Sequence, residues 1–296
     1  MTIASPQTNG TPKPDVPMPS LPPQSRRFFT MPRLGRRGLP VLISQLLLLV
    51  VLLVVWEVGS GARGEPGKFI DTLAMSKPSS ICAAALAFNA RGVLWTNILA
   101  TYQVTLTGFT IGALIGFVLG LILGVSRYLS SVLSPFIGAL YSTPRLALIP
   151  LFILWFGIGD GSKIALVATV VAFLVFYATF AGVKEVDSEI IDRMRLMRAN
   201  RFDIGRKAIM PSAASHIVEG LSISGPMALV ATVTAEMLSS NRGMGFLLVR
   251  AAGQFDTASV FACIVVLSIM GVLLMAVVRA GEARLLRWKP DRVNRK

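Results

Sequence analysis

Six apolar stretches, each long enough to cross a lipid bilayer as a helix, constrain this chain more than any other feature of it. They run from Leu39 to Val58, Asn97 to Gly124, Val132 to Phe156, Lys163 to Val183, Ile217 to Leu238 and Ser259 to Ala280. A bilayer core of about 30 Å needs roughly 20 helical residues, because each residue of helix rises about 1.5 Å. Backbone that spans lipid has to satisfy its own polar groups. The six runs therefore predict an all-α integral membrane protein with about six transmembrane helices. Composition supports this: 53% of the 296 residues are hydrophobic and 15% charged, against about 25% charged in soluble domains. At a mean hydropathy of +0.67 the chain holds more apolar surface than a core can hide, and lipid has to cover the remainder.

The charges orient the spans. A net charge of +14 would suggest nucleic acid in a soluble protein, but here the basic residues lie in clusters between apolar runs, with no soluble basic domain left over to bind it. Residues 1–37 are polar and rich in Pro, Ser and Thr, the composition of a disordered tail. They lack the early apolar stretch of a cleavable signal peptide. Arg26, Arg27, Arg33, Arg36 and Arg37 should hold this tail in the cytoplasm. Segments Val125–Ser131 and Lys184–His216 and the C-terminus then also lie inside, with about three Lys or Arg inside for each one outside. The expected organisation is a basic cytoplasmic tail over 1–37, a six-helix transmembrane domain over 38–283 with a large internal loop at 184–211, and a basic cytoplasmic tail over 284–296.

Several features within this frame carry chemistry. Gly108, Gly112, Gly116, Gly120 and Gly124 recur every fourth residue in the second span. They form a smooth groove for close helix packing, within the chain or at a subunit interface. Pro135, Pro144 and Pro150 interrupt the third span, each removing a backbone donor. Broken helices at membrane depth are tolerated where they are buried in protein or line a cavity. Arg145 follows Pro144 near mid-span, and an intramembrane charge reads either as a structural cation or as a site facing the pathway, suited to an anion. With Ser142, Pro144 and Arg145, the polar face of the fifth span (Ser222, Ser224, Thr232 and Glu236) makes a candidate translocation path. For Glu236 a structural hydrogen bond or ion pair is the competing reading, while Glu57 and Glu219 read as interfacial. Cys82, Cys263 and His216 form no metal-ligand cluster, so no metal site is expected.

The loop Lys184–Pro211 is acidic in its first half (Glu185, Asp187, Glu189, Asp192) and basic in its second (Arg193, Arg195, Arg198, Arg201, Arg206, Lys207). That order favours a helix through its dipole. Ile190, Ile191, Met194 and Met197 add an apolar stripe at helical spacing. An amphipathic helix below the membrane is predicted, either resting on the bilayer surface or docking a soluble partner.

Four stretches carry a resemblance. PSSICAAALAF (Pro78–Phe88), TLTGFTIGALIGFVLGLILGVS (Thr105–Ser126), STPRLALIPLFILWFGIGDGSK (Ser142–Lys163) and AEMLSSNRGMGFLLVRA (Ala235–Ala251) resemble the permease subunits of bacterial ATP-binding-cassette importers, in the nitrate, sulfonate and taurine branch. The family's cytoplasmic signature, EAA, three residues, G, nine residues, I, one residue, LP, falls on Asp192 to Pro211. Of its specified positions only Pro211 is retained, with Asp192, Arg193 and Met194 at EAA, Arg198 at the Gly, Ala208 at the Ile and Met210 at the Leu. The resemblance implies the architecture of a type I importer permease in the bacterial inner membrane, with both termini cytoplasmic. It implies that a second permease copy pairs with the chain as a homodimer, and that an extracytoplasmic binding protein delivers a small solute such as a sulfonate, taurine or nitrate. It also implies that Asp192, Arg193, Met194, Arg195, Met197, Arg198, Arg201, Phe202 and Pro211 couple the chain to ATPase subunits. No GxxxxGK[ST] occurs, so ATP and Mg are expected on the partner and no cofactor or catalytic residue on this chain. The alternatives are a membrane scaffold or regulatory subunit with a diverged coupling loop, and an ion-coupled secondary transporter. No Asp lies inside the spans apart from Asp160 at a loop edge, which counts against coupling ions in mid-membrane.

Overall fold

The computed structural model describes residues 38–60 and 75–285. The expected N-terminal tail and nearly all of the C-terminal one lie outside these. The regular elements among the described residues are helices: α1 (Gly38–Gly59), α2 (Pro78–Ala90), α3 (Val93–Val125), α4 (Arg127–Ser142), a 3-10 turn (Arg145–Leu148), α5 (Ile149–Phe156), α6 (Asp160–Lys184), α7 (Ser188–Leu196), α8 (Arg201–Ile204), α9 (Met210–Ser239), α10 (Met244–Gly253) and α11 (Thr257–Leu285). Residues up to Val51 and those from Leu52 onward form two units. The first holds most of α1, whose sequence GLPVLISQLLLLVVLLVVWEVG has Ser44 and Gln45 as its polar residues before Glu57 and no charge ahead of it. A helix without a polar face suits lipid on all sides.

Among the described residues five helices are long and apolar enough to cross a membrane: α1, α3, α6, α11, and the continuous helical run from Arg201 through α9 to Ser239. The third expected span, Val132–Phe156, is not one helix but α4, the 3-10 turn and α5. Pro144 accounts for the break, since a residue preceding proline avoids helical backbone, and Pro144 itself is extended at φ −69°, ψ 98°. The other two prolines do not interrupt. Pro135 stays inside α4, and Pro150 lies in the first turn of α5, where the missing N–H has no partner to lose.

The glycine row shows that this broken segment still crosses. A Cβ on Gly108 would stand 2.6 Å from the Val167 Cβ; on Gly112, 2.4 Å from the Ala168 carbonyl oxygen; on Gly116, 2.3 Å from that of Ala172. On Gly120 and Gly124 it would stand 2.7 Å from the Cβ atoms of Thr179 and Val183. Residue numbers climb together on both helices, so α3 and α6 run parallel in near backbone contact. Two parallel spanning helices require the chain between them to return across the bilayer. The 16 residues of α4, four of the turn and eight of α5 are long enough for the roughly 30 Å. Ile149 and Phe152 anchor α5 in the core built from Val104, Leu166, Val171 and Ala231.

The remaining contacts fix the other directions. Gly182 meets Ala213 and His216 while Gly220 meets Ala178, so α9 runs antiparallel to α6. Gly225 faces Val278 and Gly271 faces Leu229, so α11 runs antiparallel to α9. One end of the bundle carries α7 and α8, and the other carries α2 and α10. Between α8 and α9 the helix widens to π geometry over Gly205–Ile209. Pro211 explains the widening: it has no N–H for the carbonyl four residues back, and its ring presses on that carbonyl.

Candidate functional site

Two places gather the residues singled out from sequence. The first is the elbow between α7 and α8. Asp187 caps α7 by accepting the Glu189 N–H at 2.9 Å, and Asn200 caps α8 by accepting the Asp203 N–H at 2.7 Å. Such caps supply partners for otherwise orphaned first-turn donors. Arg198, with φ 58°, ends α7. Its N–H bonds the Arg195 carbonyl at 2.9 Å and the Ala199 N–H reaches back to Met194 at 3.0 Å, the paired closure that usually places glycine in the left-handed position. Ile191, Met194 and Ala199 pack inward on Val183, Ile204, Ile209 and Ala213. The expected stripe is therefore split. Ile191 and Met194 hold the elbow to the bundle, while Ile190 and Met197 face outward. Leu196 (84% exposed), Met197 (82%) and Phe202 (74%) crown the turn. Arg193 pairs with Glu189 and Arg195 with Asp192, both at 3.1 Å on the surface, and Lys207 pairs with Asp203 at 2.9 Å. Arg201 and Pro211 are exposed at its edge.

The second place surrounds Glu236, 1% exposed near the end of α9. Its carboxylate accepts the Thr101 hydroxyl at 2.9 and 3.0 Å and the Gly245 N–H at 2.9 Å. Thr101 in turn accepts the Met244 N–H at 2.9 Å, and Asn97 accepts the Gly243 N–H at 2.6 Å. One turn deeper, Thr105 and Thr232 are bonded at 2.9 Å. Gly243 is needed where it lies: at φ 109°, a Cβ there would fall 2.2 Å from the Glu236 carboxyl carbon. The cluster clasps the α9–α10 turn onto α3. Beside it, Lys163 bonds Asp160 at 2.8 Å and the Ser240 hydroxyl at 3.1 Å, and Arg242 pairs with the same Asp160.

The residues expected to line a path are not gathered on one wall. Ser224, Thr232 and Glu236 are buried in packing and hydrogen bonds, and Ser224 and Ser222 bond carbonyls of their own helix. Ser142 and Pro144 are exposed at the α4–α5 break. There the half-buried Arg145 guanidinium lies 5.0 Å from the centroid of the Phe173 ring on α6, a cation–π contact. Reading the sequence did not single out Asn97, Thr101, Thr105 or Lys163, and it noted Asp160 only as an Asp at a loop edge. The first three carried a signal, because spacing of four places them on the face that the glycine row continues. Both cysteines are free, Cys82 exposed and Cys263 buried.

Comparison with known proteins places this arrangement. The family model described as "Binding-protein-dependent transport system inner membrane component" matches residues 112–287. SsuC of Bacillus subtilis, whose name provisionally assigns it to aliphatic sulfonates transport, is 30% identical over 82% of this chain and 87% of its own length. The riboflavin transport system permease protein RibX of Chloroflexus aurantiacus is 32% identical over 90% of this chain and 94% of its own. Among solved structures, an inward-facing form of the MetNI methionine ABC transporter aligns at a TM-score of 0.59 and 18% identity, covering 67% of this chain and 98% of that one. With the glycine row, the broken span and the elbow all but the first few residues inside the matched region, the chain belongs to the family of inner membrane permease components of binding-protein-dependent transport systems.

Proposed function

We propose that this chain imports a small organic oxyanion of the sulfonate class, driven by a cytosolic ATPase that grips the α7–α8 elbow. The observation that carries the reading is the elbow itself. Leu196, Met197 and Phe202 stand clear of the bundle, while the opposite side of the same turn is fastened to α6 and α9. A surface aromatic with aliphatic neighbours on a rigid turn is what a partner groove takes as an anchor, and rigid backing passes motion to the spans. In this reading the elbow and both termini are cytoplasmic and two copies of the chain pair around the path. Each copy engages one ATPase, which binds ATP and Mg, and an extracytoplasmic binding protein delivers solute at the α10 end. Arg145 supports an anion, as a cation held at mid-membrane depth beside Phe173. The sulfonate relative supports it too.

The riboflavin relative favours a second reading, a neutral heterocycle. Reconstitution of the permease with its ATPase and binding protein in liposomes separates the two. Taurine or methanesulfonate should stimulate ATP hydrolysis and riboflavin should not. Stimulation by riboflavin alone would replace the oxyanion reading. In the same assay Phe202→Ala should lower stimulated hydrolysis about tenfold or more, the usual consequence of truncating an aromatic anchor. Unchanged hydrolysis would remove the elbow from coupling.

A further inference from the structure

Where α2, α3, α10 and α11 meet, a cavity of about 230 Å³ opens at the end of the bundle opposite the elbow. Its floor is apolar, with Phe88, Val93 and Leu247. Its walls carry Arg91, Arg250 and Gln254. Both arginines are exposed, and neither guanidinium has an ion pair among the described residues. The acid in the cavity is Asp256, whose carboxylate is turned to the start of α11, accepting the Ser259 hydroxyl at 2.8 Å and its N–H at 3.3 Å. Among the described residues, two guanidinium groups against one committed carboxylate leave the cavity positive.

Its level in the bundle indicates what would occupy it. The α3 and α11 spans both begin here, at Val93 and Thr257, so the cavity lies where hydrocarbon gives way to water. Exposed Leu86, Trp95 and Phe255 neighbour its lining residues in sequence. Aromatic and aliphatic side chains mixed with arginine are the composition of a membrane–water boundary. A positive cavity at that depth, between spanning helices and floored by apolar side chains, fits a phosphodiester with acyl chains attached better than a freely diffusing ion.

We propose that this cavity binds the headgroup of an anionic phospholipid in the leaflet at the α10 end. Arg91 and Arg250 hold the phosphate, Gln254 donates to a glycerol or phosphate oxygen, and the acyl chains run down the apolar surface of α3. The site is separate from the elbow and from the Glu236 cluster, and it does not depend on which solute the protein carries.

Native mass spectrometry of the full chain from nanodiscs containing phosphatidylcholine with a minority of phosphatidylglycerol tests it. The wild type should retain one phosphatidylglycerol through delipidation, and Arg91→Ala/Arg250→Ala should retain it on the order of tenfold less. Gln254→Trp, which fills the mouth without altering charge, should have the same effect, so the test survives if the double variant does not fold. Arg206→Ala, at the elbow end, should change nothing. Equal retention by wild type and both cavity variants would overturn the proposal, whether the cavity stays empty or another part of the chain fills it. Displacement of the lipid by millimolar inorganic phosphate or methanesulfonate would overturn it too, showing a site for a soluble oxyanion.

Discussion

At Arg198 the backbone adopts φ 58°, a left-handed conformation that costs an L-residue with a Cβ roughly 1–2 kcal/mol. The family signature has glycine at this position, so the turn survives here although its cheapest residue does not. Arg198→Gly should therefore stabilise the protein by about 1 kcal/mol, read as a higher midpoint in thermal unfolding in detergent; an unchanged or lower midpoint would mean that the arginine side chain contributes more than the backbone strain removes. Glu236 shows the opposite economy. Both hydrogen-bond partners of its carboxylate, Thr101 on α3 and Gly245 on α10, donate to it. Glu236→Ala would strand buried donors at about 1–3 kcal/mol each and open a void. The α9–α10 turn should then loosen, and trypsin should cut after the exposed Arg242 at least tenfold faster than in the wild type. Unaltered cleavage would mean the clasp does not hold the turn.

At the scale of elements, the packing of α3 on α6 is the tightest constraint. A Cβ at Gly116 would meet the Ala172 carbonyl oxygen at 2.3 Å and the Phe176 nitrogen at 2.9 Å, and backbone cannot swing aside as a side chain can. Gly116→Leu should force the two helices apart, with a cost of several kcal/mol by overpacking, visible as loss of the monodisperse peak in size-exclusion chromatography. Leu114→Ala, two residues away on an exposed face, is the matched control and should purify normally. The spacing of four made the groove legible in sequence, but not its occupant. Choosing between α6 and another subunit needs the register of residues some sixty positions apart. The same holds for the broken span. Three prolines announced irregularity, yet only Pro144 breaks the helix, because what a proline does depends on whether it falls in a first turn (Pro150), inside a helix (Pro135) or between two. Glu236 was visible as a polar residue late in a span. That it serves as an acceptor for α3 and α10 was not, since its donors come from two other elements, and half of them are backbone N–H groups that any sequence carries.

For the whole molecule, direction of helices and distribution of charge are independent, and they agree. Parallel α3 and α6 require the segment 126–159 to return across the bilayer, which with the five long helices among the described residues makes six crossings. Among the described residues the elbow-end loop 184–216 is richer in Lys and Arg than the loops at the α10 end, the bias expected of a cytoplasmic side. Cysteine accessibility tests the two lines together. In a Cys82→Ser background, with Cys263 buried, single cysteines at the exposed positions Tyr128, Ile158, Ser188 and Asn241 sample both ends of the bundle and both ends of the broken span. A membrane-impermeant maleimide added to intact spheroplasts should label the Ile158→Cys and Asn241→Cys variants, and should reach Tyr128→Cys and Ser188→Cys only after permeabilisation. If Tyr128→Cys and Ile158→Cys label from the same side, the broken segment dips into the membrane without crossing it, and α3 and α6 cannot both span in the parallel arrangement that the glycine row demands. If Ser188→Cys labels from outside, the elbow is out of a cytosolic ATPase's reach, and the charge bias has been read with the wrong sign.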